Sequence, residues 1–175
     1  MLIIDAFAFC RGGEHQTGKL TLPMLPRLRA ECVSDVGEVE WDLAGNQAGN
    51  AAGNAAGSIA ARGHPILRLT INGKMQLMCQ RCLTPFDFHI QSESTMLLAV
   101  SDDAADQIEA SLDDDEIEVI VGNKSFDILA LIEDEALLAI PLSPKHEVCP
   151  EKEKLDAFAI AKKESPFAAL KKQIK

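Results

Sequence analysis

The chain has no tyrosine and one tryptophan, and aromatic residues make up only 5% of its 175 positions. A core built from so few rings must be largely aliphatic. A surface that reads ligands by broad aromatic stacking is not expected. No apolar run reaches the roughly 18–20 residues that a membrane helix needs. The start, Met-Leu-Ile-Ile-Asp, lacks a basic stretch followed by a long apolar one and does not read as a signal peptide. The expectation is a cytoplasmic protein without membrane contact, in a compartment where thiols stay reduced. Catalytic signatures are missing too. There is no Gly-x-Ser-x-Gly elbow, no P-loop and no His-Glu-x-x-His. A non-catalytic protein without a small-molecule substrate is expected. Five cysteines, an odd number, fit poorly with a closed disulfide framework.

What is present suffices for one folded domain. Hydrophobic residues account for 47% and charged ones for 25%. The net charge of -10 at pH 7 argues against a bulk electrostatic grip on nucleic acid. That charge is unevenly spread. Asp102 to Glu118 holds nine carboxylates and no Lys or Arg, and residues 151–175 hold seven Lys against four acids. Contact with a polyanion therefore falls to the tail or to a local patch.

Gly45 to Gly57 is a four-residue repeat of Gly, Asn and Ala, too poor in apolar area to order itself. It reads as a flexible loop between strands. Beyond Pro65 the pattern sharpens. Leu67, Leu69 and Ile71 alternate, Asn72-Gly73 follows, and Met75, Leu77 and Cys79 alternate again. Asn-Gly between two alternating runs predicts a hairpin. Phe86–Ile90, Met96–Val100 and Ile117–Val121 read as further strands, and the acidic stretch before Ile117 as a solvated loop. Asp127 to Ile140 reads as a helix capped by Asp127 and stopped by Pro141. Its Ile128, Leu129, Ile132, Ala136 and Ala139 form one stripe, so it should be buried. Strands before a late helix favour an α+β fold on an antiparallel sheet, which could close into a barrel-like form. The expected layout is a single domain over residues 1–150 and a basic helix or tail over residues 151–175.

Cys79-Gln80-Arg81-Cys82 can place two thiolates on one tetrahedral ion. A second half-site, His146 and Cys149, lies 64 residues beyond Cys82. Together the four would form a structural zinc site. Two other readings stand beside it: reduced thiols without metal, and a redox pair. The redox pair normally opens a helix in a βαβ setting, which the pattern does not offer. Cys10 and Cys32 lack partners at ligand spacing. Glu133-Asp134-Glu135 are consecutive on the helix and point in different directions, so they suit capping or ion pairing rather than a catalytic dyad.

Three segments carry a family resemblance. Cys79-Gln80-Arg81-Cys82-Leu83-Thr84-Pro85-Phe86 resembles a signature of the bacterial YceD family. So does the run from Asp127 through Pro141-Leu142-Ser143-Pro144-Lys145-His146. Ser165-Pro166-Phe167-Ala168-Ala169-Leu170 is similar to the family's ending. The resemblance implies a ribosome-biogenesis factor that promotes accumulation of 23S ribosomal RNA. It implies partners among precursors of that RNA or ribosome-assembly proteins. Some relatives have more cysteines in the distal half-site than this chain, which offers only His146 and Cys149. Arg81, Lys145, Lys152, Lys154, Lys162, Lys163, Lys171 and Lys172 are the candidate contacts to RNA phosphates or a partner. The alternative is an acidic adaptor that binds a ribosomal protein or an RNA-processing enzyme.

Overall fold

A computed structural model describes residues 2–47, 63–112 and 117–150. Its elements run in the order β1 (Ile3–Ile4), α1 (Ala6–Gly12), β2 (His15–Thr21), a 3-10 turn (Leu22–Met24), α2 (Pro26–Glu31), β3 (Glu38–Gln47), β4 (Pro65–Met78), β5 (Pro85–Ala99), α3 (Asp102–Glu109), β6 (Ile117–Val121), β7 (Phe126–Asp127) and α4 (Ile128–Leu138). Five strands form one sheet in the order β2-β3-β4-β5-β6, and β1 pairs with β7 in a separate two-stranded sheet. The α+β class is as the sequence indicates. The main sheet is open, not barrel-like, and its last pairing, β5 with β6, is parallel. The cause is α3, which carries the chain back so that β6 starts opposite Thr95 and runs in the same direction as the last part of β5.

The Asn72-Gly73 hairpin is not formed. β4 runs straight through it for 14 residues. Gly73 pairs with Val39 on one side and Ile90 on the other. A Cβ added there would lie 3.1 Å from the Glu38 carbonyl oxygen and 3.2 Å from Val39 Cγ2, so the position favours glycine for close packing and not for a turn. The alternation itself carried this outcome. Leu67, Leu69, Ile71, Met75 and Leu77 share one parity, with Gly73 filling the gap, and all are buried. Phe86–Ile90 and Met96–Val100 likewise join into the single strand β5. The acidic stretch starts not as a loop but as α3, where the Ser101 side chain accepts from the Ala104 amide.

Helices α1, α2 and α4 cover one face of the sheet. Phe9, Leu28, Ile128, Ile132 and Ala136 pack there against Leu43, Leu69, Ile71 and Met75. On the opposite face a smaller cluster of Ile66, Leu97 and Ile117 lies under Ile108 and Leu112. The Asp127 carboxylate caps α4, accepting from the Leu129 and Ala130 amides at 2.9 and 3.4 Å.

The three consecutive acids of α4 have separate duties. Buried Glu133 accepts from the Arg27 and Leu28 amides at 2.7 and 3.1 Å and from Arg27 Nε at 2.9 Å. Helix α2 begins on Leu25, which has no capping side chain, so its free amides are met by a residue from another helix. Asp134 pairs with Arg27, and Glu135 accepts from Ser92 Oγ.

Of the Gly/Asn/Ala repeat, positions 45–47 belong to β3, and the remainder lies outside the described residues, as do residues 151–175.

Candidate metal centre

The longest two strands, β4 and β5, pair antiparallel from Ile66–Leu97 to Met78–Pro85. The turn joining them is Cys79–Thr84. It closes by hydrogen bonds from the Leu83 amide to the Cys79 carbonyl at 2.9 Å and from the Cys79 amide to the Thr84 carbonyl at 3.0 Å. The cysteine motif is therefore the hairpin turn of the sheet, held by the strands on either side. The second half-site arrives from α4. Beyond its end, the Pro141–Pro144 connector reaches the turn, where the Gln80 amide donates to the Pro144 carbonyl at 2.8 Å.

These two restraints bring Cys79, Cys82, His146 and Cys149 together, with all four ligand atoms within 4.8 Å of one another. Cys79 Sγ lies 3.9 Å from Cys149 Sγ, and Cys82 Sγ lies 3.4 Å from His146 Nδ1. A tetrahedron with metal–sulfur bonds of roughly 2.3 Å and metal–nitrogen bonds of roughly 2.0 Å has edges of about 3.5–3.8 Å. The two separations thus match the edges of a zinc-sized tetrahedron, and the donor set fits the ion. Cys79 and Cys149 are buried, whereas Cys82 and His146 are partly accessible. The His146 ring is held against Phe86, with centroids 4.9 Å apart.

Protonation also suits a cation. Burial works to raise the Cys79 thiol, but the amides of Cys82, His146 and Arg81 outweigh it, and the group is pushed down to about 5. Cys149 is pushed up to about 11 by burial and by the neighbouring Cys82 and Cys79. The cluster thus resists a second negative charge unless a positive ion joins it.

Leu83 follows Cys82 with φ of 56°, the one non-glycine residue with positive φ among those described. It is 70% exposed. The left-handed conformation costs an L-residue roughly 1–2 kcal/mol, and glycine's larger unfolded-state entropy offsets about half of that gain. Leu83→Gly is expected to raise stability by about 0.5–1 kcal/mol in urea unfolding. A loss of stability would contradict the exposed, strained placement.

Comparison with known proteins turns on this same part of the chain. The profile of the family described as large ribosomal RNA subunit accumulation protein YceD matches residues 67–173, more than half of the sequence. The chain belongs to the YceD family. A relative from Haemophilus influenzae, described as large ribosomal RNA subunit accumulation protein YceD, is 31% identical over 113 residues. That match covers 58% of this chain and 63% of the relative, so it spans less than two thirds of the relative's length. No solved structure matches. The YceD family is named for accumulation of a ribosomal RNA subunit and not for an enzymatic reaction.

In this YceD-family chain the remaining candidate residues divide in two. Arg81 sits in the knuckle and Lys145 one residue before His146, so both flank the cluster. Lys152, Lys154, Lys162, Lys163, Lys171 and Lys172 lie outside the described residues. Cys10 donates to the Ile66 carbonyl and Cys32 to the Leu28 carbonyl, and neither joins a metal-ligating cluster among the described residues. Sequence reading missed Leu83. No described helix is long and apolar enough to cross a membrane.

Proposed function

We propose that the chain is a non-catalytic, cytoplasmic factor that promotes accumulation of 23S ribosomal RNA during large-subunit assembly. Membership of the YceD family carries this reading. The four-residue cluster supports a structural zinc ion held by Cys79, Cys82, His146 and Cys149. Four protein ligands fill a tetrahedral ion and leave no position for a reactive water, which supports the non-catalytic reading. The zinc would staple the β4–β5 turn to the connector after α4 and so fix Arg81 and Lys145 on one rigid unit. With the Lys-rich residues 151–175 they form the phosphate-contacting set in a chain whose net charge as a whole is -10.

The test is binding to precursor large-subunit RNA across a salt series. Affinity should fall as salt rises, since each phosphate contact releases a counterion. Arg81→Ala and Lys145→Ala should each reduce the slope of log affinity against log salt by about 1. No binding at low salt would refute direct RNA contact.

The acidic adaptor is the second reading, and α3 favours it. Asp102 and Asp103 lie in its first turn, Asp106 and Glu109 follow, and none of its residues is buried. Such a face complements a basic ribosomal protein. Partners that survive ribonuclease treatment of a pull-down would support the adaptor; their loss would support RNA.

A further inference from the structure

The five-stranded sheet ends in two edges, and the sequence treats them differently. The edge strand β2 carries His15 and Lys19, both exposed, with Gly18 between them. Charge on an edge and a glycine within it weaken pairing with a further strand. The opposite edge, β6, reads Ile117-Glu118-Val119-Ile120-Val121. All but Glu118 are β-branched aliphatics, the type best suited to a strand. There is no lysine, proline or glycine in it. Residues 95–99 of β5 pair along its inner side, and no strand pairs along its outer side among the described residues. An apolar strand thus presents a row of unpaired backbone N–H and C=O groups, which is a template for one more strand.

The surroundings of β6 are acidic. Helix α3 packs against this end of the sheet, with Ile108 and Leu112 on the cluster of Ile66, Leu97 and Ile117. Asp102, Asp103, Asp106 and Glu109 of that helix are exposed, and none forms an ion pair among the described residues. Val119 lies opposite Leu97 in the ladder and shares the face under α3. Glu118, also exposed, therefore stands on the other face. Negative charge borders this edge on both sides of the sheet.

These two features select the occupant. Main-chain pairing calls for an extended polypeptide, and the carboxylates call for a basic one. RNA would meet repulsion here. So would a second copy, which would bring a second α3 and its own net charge of -10. We propose that the outer edge of β6 binds an extended, lysine- or arginine-bearing segment of a protein partner as a sixth strand. The inference rests on the adaptor reading and gives it a site. Backbone hydrogen bonds hold the segment, and its cations meet the carboxylates of α3 and Glu118.

Nuclear magnetic resonance of the isotope-labelled full-length chain tests it, with an end-blocked synthetic peptide of alternating lysine and valine as the probe. Amides of Ile117–Val121 are expected to shift, and the outward ones to exchange with solvent about tenfold more slowly, while those of β2 stay unchanged. The effect should weaken as salt rises. A peptide with glutamate for lysine, and a lysine–valine peptide N-methylated throughout, should each bind about tenfold more weakly. Glu118→Lys with Val121→Lys, at two exposed positions, places on β6 the charge that β2 already has and should weaken binding to the same degree. Shifts confined to α3, shifts at β2, equal binding of the glutamate peptide or no binding at low salt would overturn the proposal. So would slow exchange of every β6 amide before peptide is added, since the chain itself would then already cover the edge. Nuclease-resistant partners captured equally by the wild-type chain and the double variant would leave the adaptor standing and overturn the edge. Peptide binding at β6 without any nuclease-resistant partner would support the edge and overturn the adaptor.

Discussion

Glu133→Ala is expected to lower stability by about 3 kcal/mol, the upper range for a point substitution. The side chain is 7% exposed and accepts three hydrogen bonds from the start of α2. Its removal strands two backbone amides at a helix terminus that has no cap of its own. The amide of Leu28, a fully buried residue, has no easy replacement in water. Half-exposed Arg27 can turn to solvent, so its ion pair adds little. Glu133→Gln keeps one acceptor oxygen for the amides and should cost only about 1 kcal/mol. Asp134→Ala, on the exposed side of the same arginine, should cost about 0.5 kcal/mol or less. Urea unfolding of the three variants checks the order. Equal losses at 133 and 134 would show that the arginine, and not the helix cap, carries the effect.

The contrast between Glu133 and Asp127 shows where the sequence is legible. Asp127 caps its own helix from the adjacent position, so spacing alone reveals it. Glu133 caps a helix 106 residues earlier in the chain, and no local pattern predicts that contact. The same division governs the strands. Alternating parity correctly marked the buried face of β4. The turn was misplaced because Asn-Gly is a local preference, and pairing with β3 and β5 on both sides overrides it. The true turn lies at the cysteines, where the hydrogen bonds of Cys79, Leu83 and Thr84 close a tight loop without an Asn-Gly pair. In the acidic stretch, Ser101 followed by Asp102 and Asp103 was a helix-start signal that the density of charge obscured.

The candidate centre was legible as residue types and spacing, because metal ligation demands cysteines and histidines in pairs. What spacing alone leaves open is whether two half-sites 64 residues apart meet. Their meeting depends on the length of α4 and on the Pro141–Pro144 connector, which extends the chain back to Gln80. Leu83 was invisible for a different reason. Its significance lies in a backbone angle and an exposure, neither of which a residue type declares.

A metal-binding titration should therefore show one ion per chain, with affinity that rises with pH. Cys79, pushed down to about 5, is already a thiolate above pH 6 and releases no proton there. Cys149, pushed up to about 11, still carries its proton and must lose it to an incoming ion. Each displaced proton steepens the affinity by about tenfold per pH unit, so from pH 6 to pH 8 zinc should bind at least about 100-fold more tightly. Cobalt(II) makes the same site visible through its thiolate charge-transfer band. Cys149→Ser should weaken binding beyond the roughly 10–100-fold that loss of an outer partner causes, since a direct ligand is gone. His146→Ala should also weaken it while leaving more of the sulfur signal. Removing the ion with a chelator frees the β4–β5 turn from the connector, and Tm should fall by roughly 10 °C where the metal had been about a thousandfold above its Kd. An affinity flat with pH, or a Tm indifferent to chelator, would mean that the four side chains meet without sharing an ion.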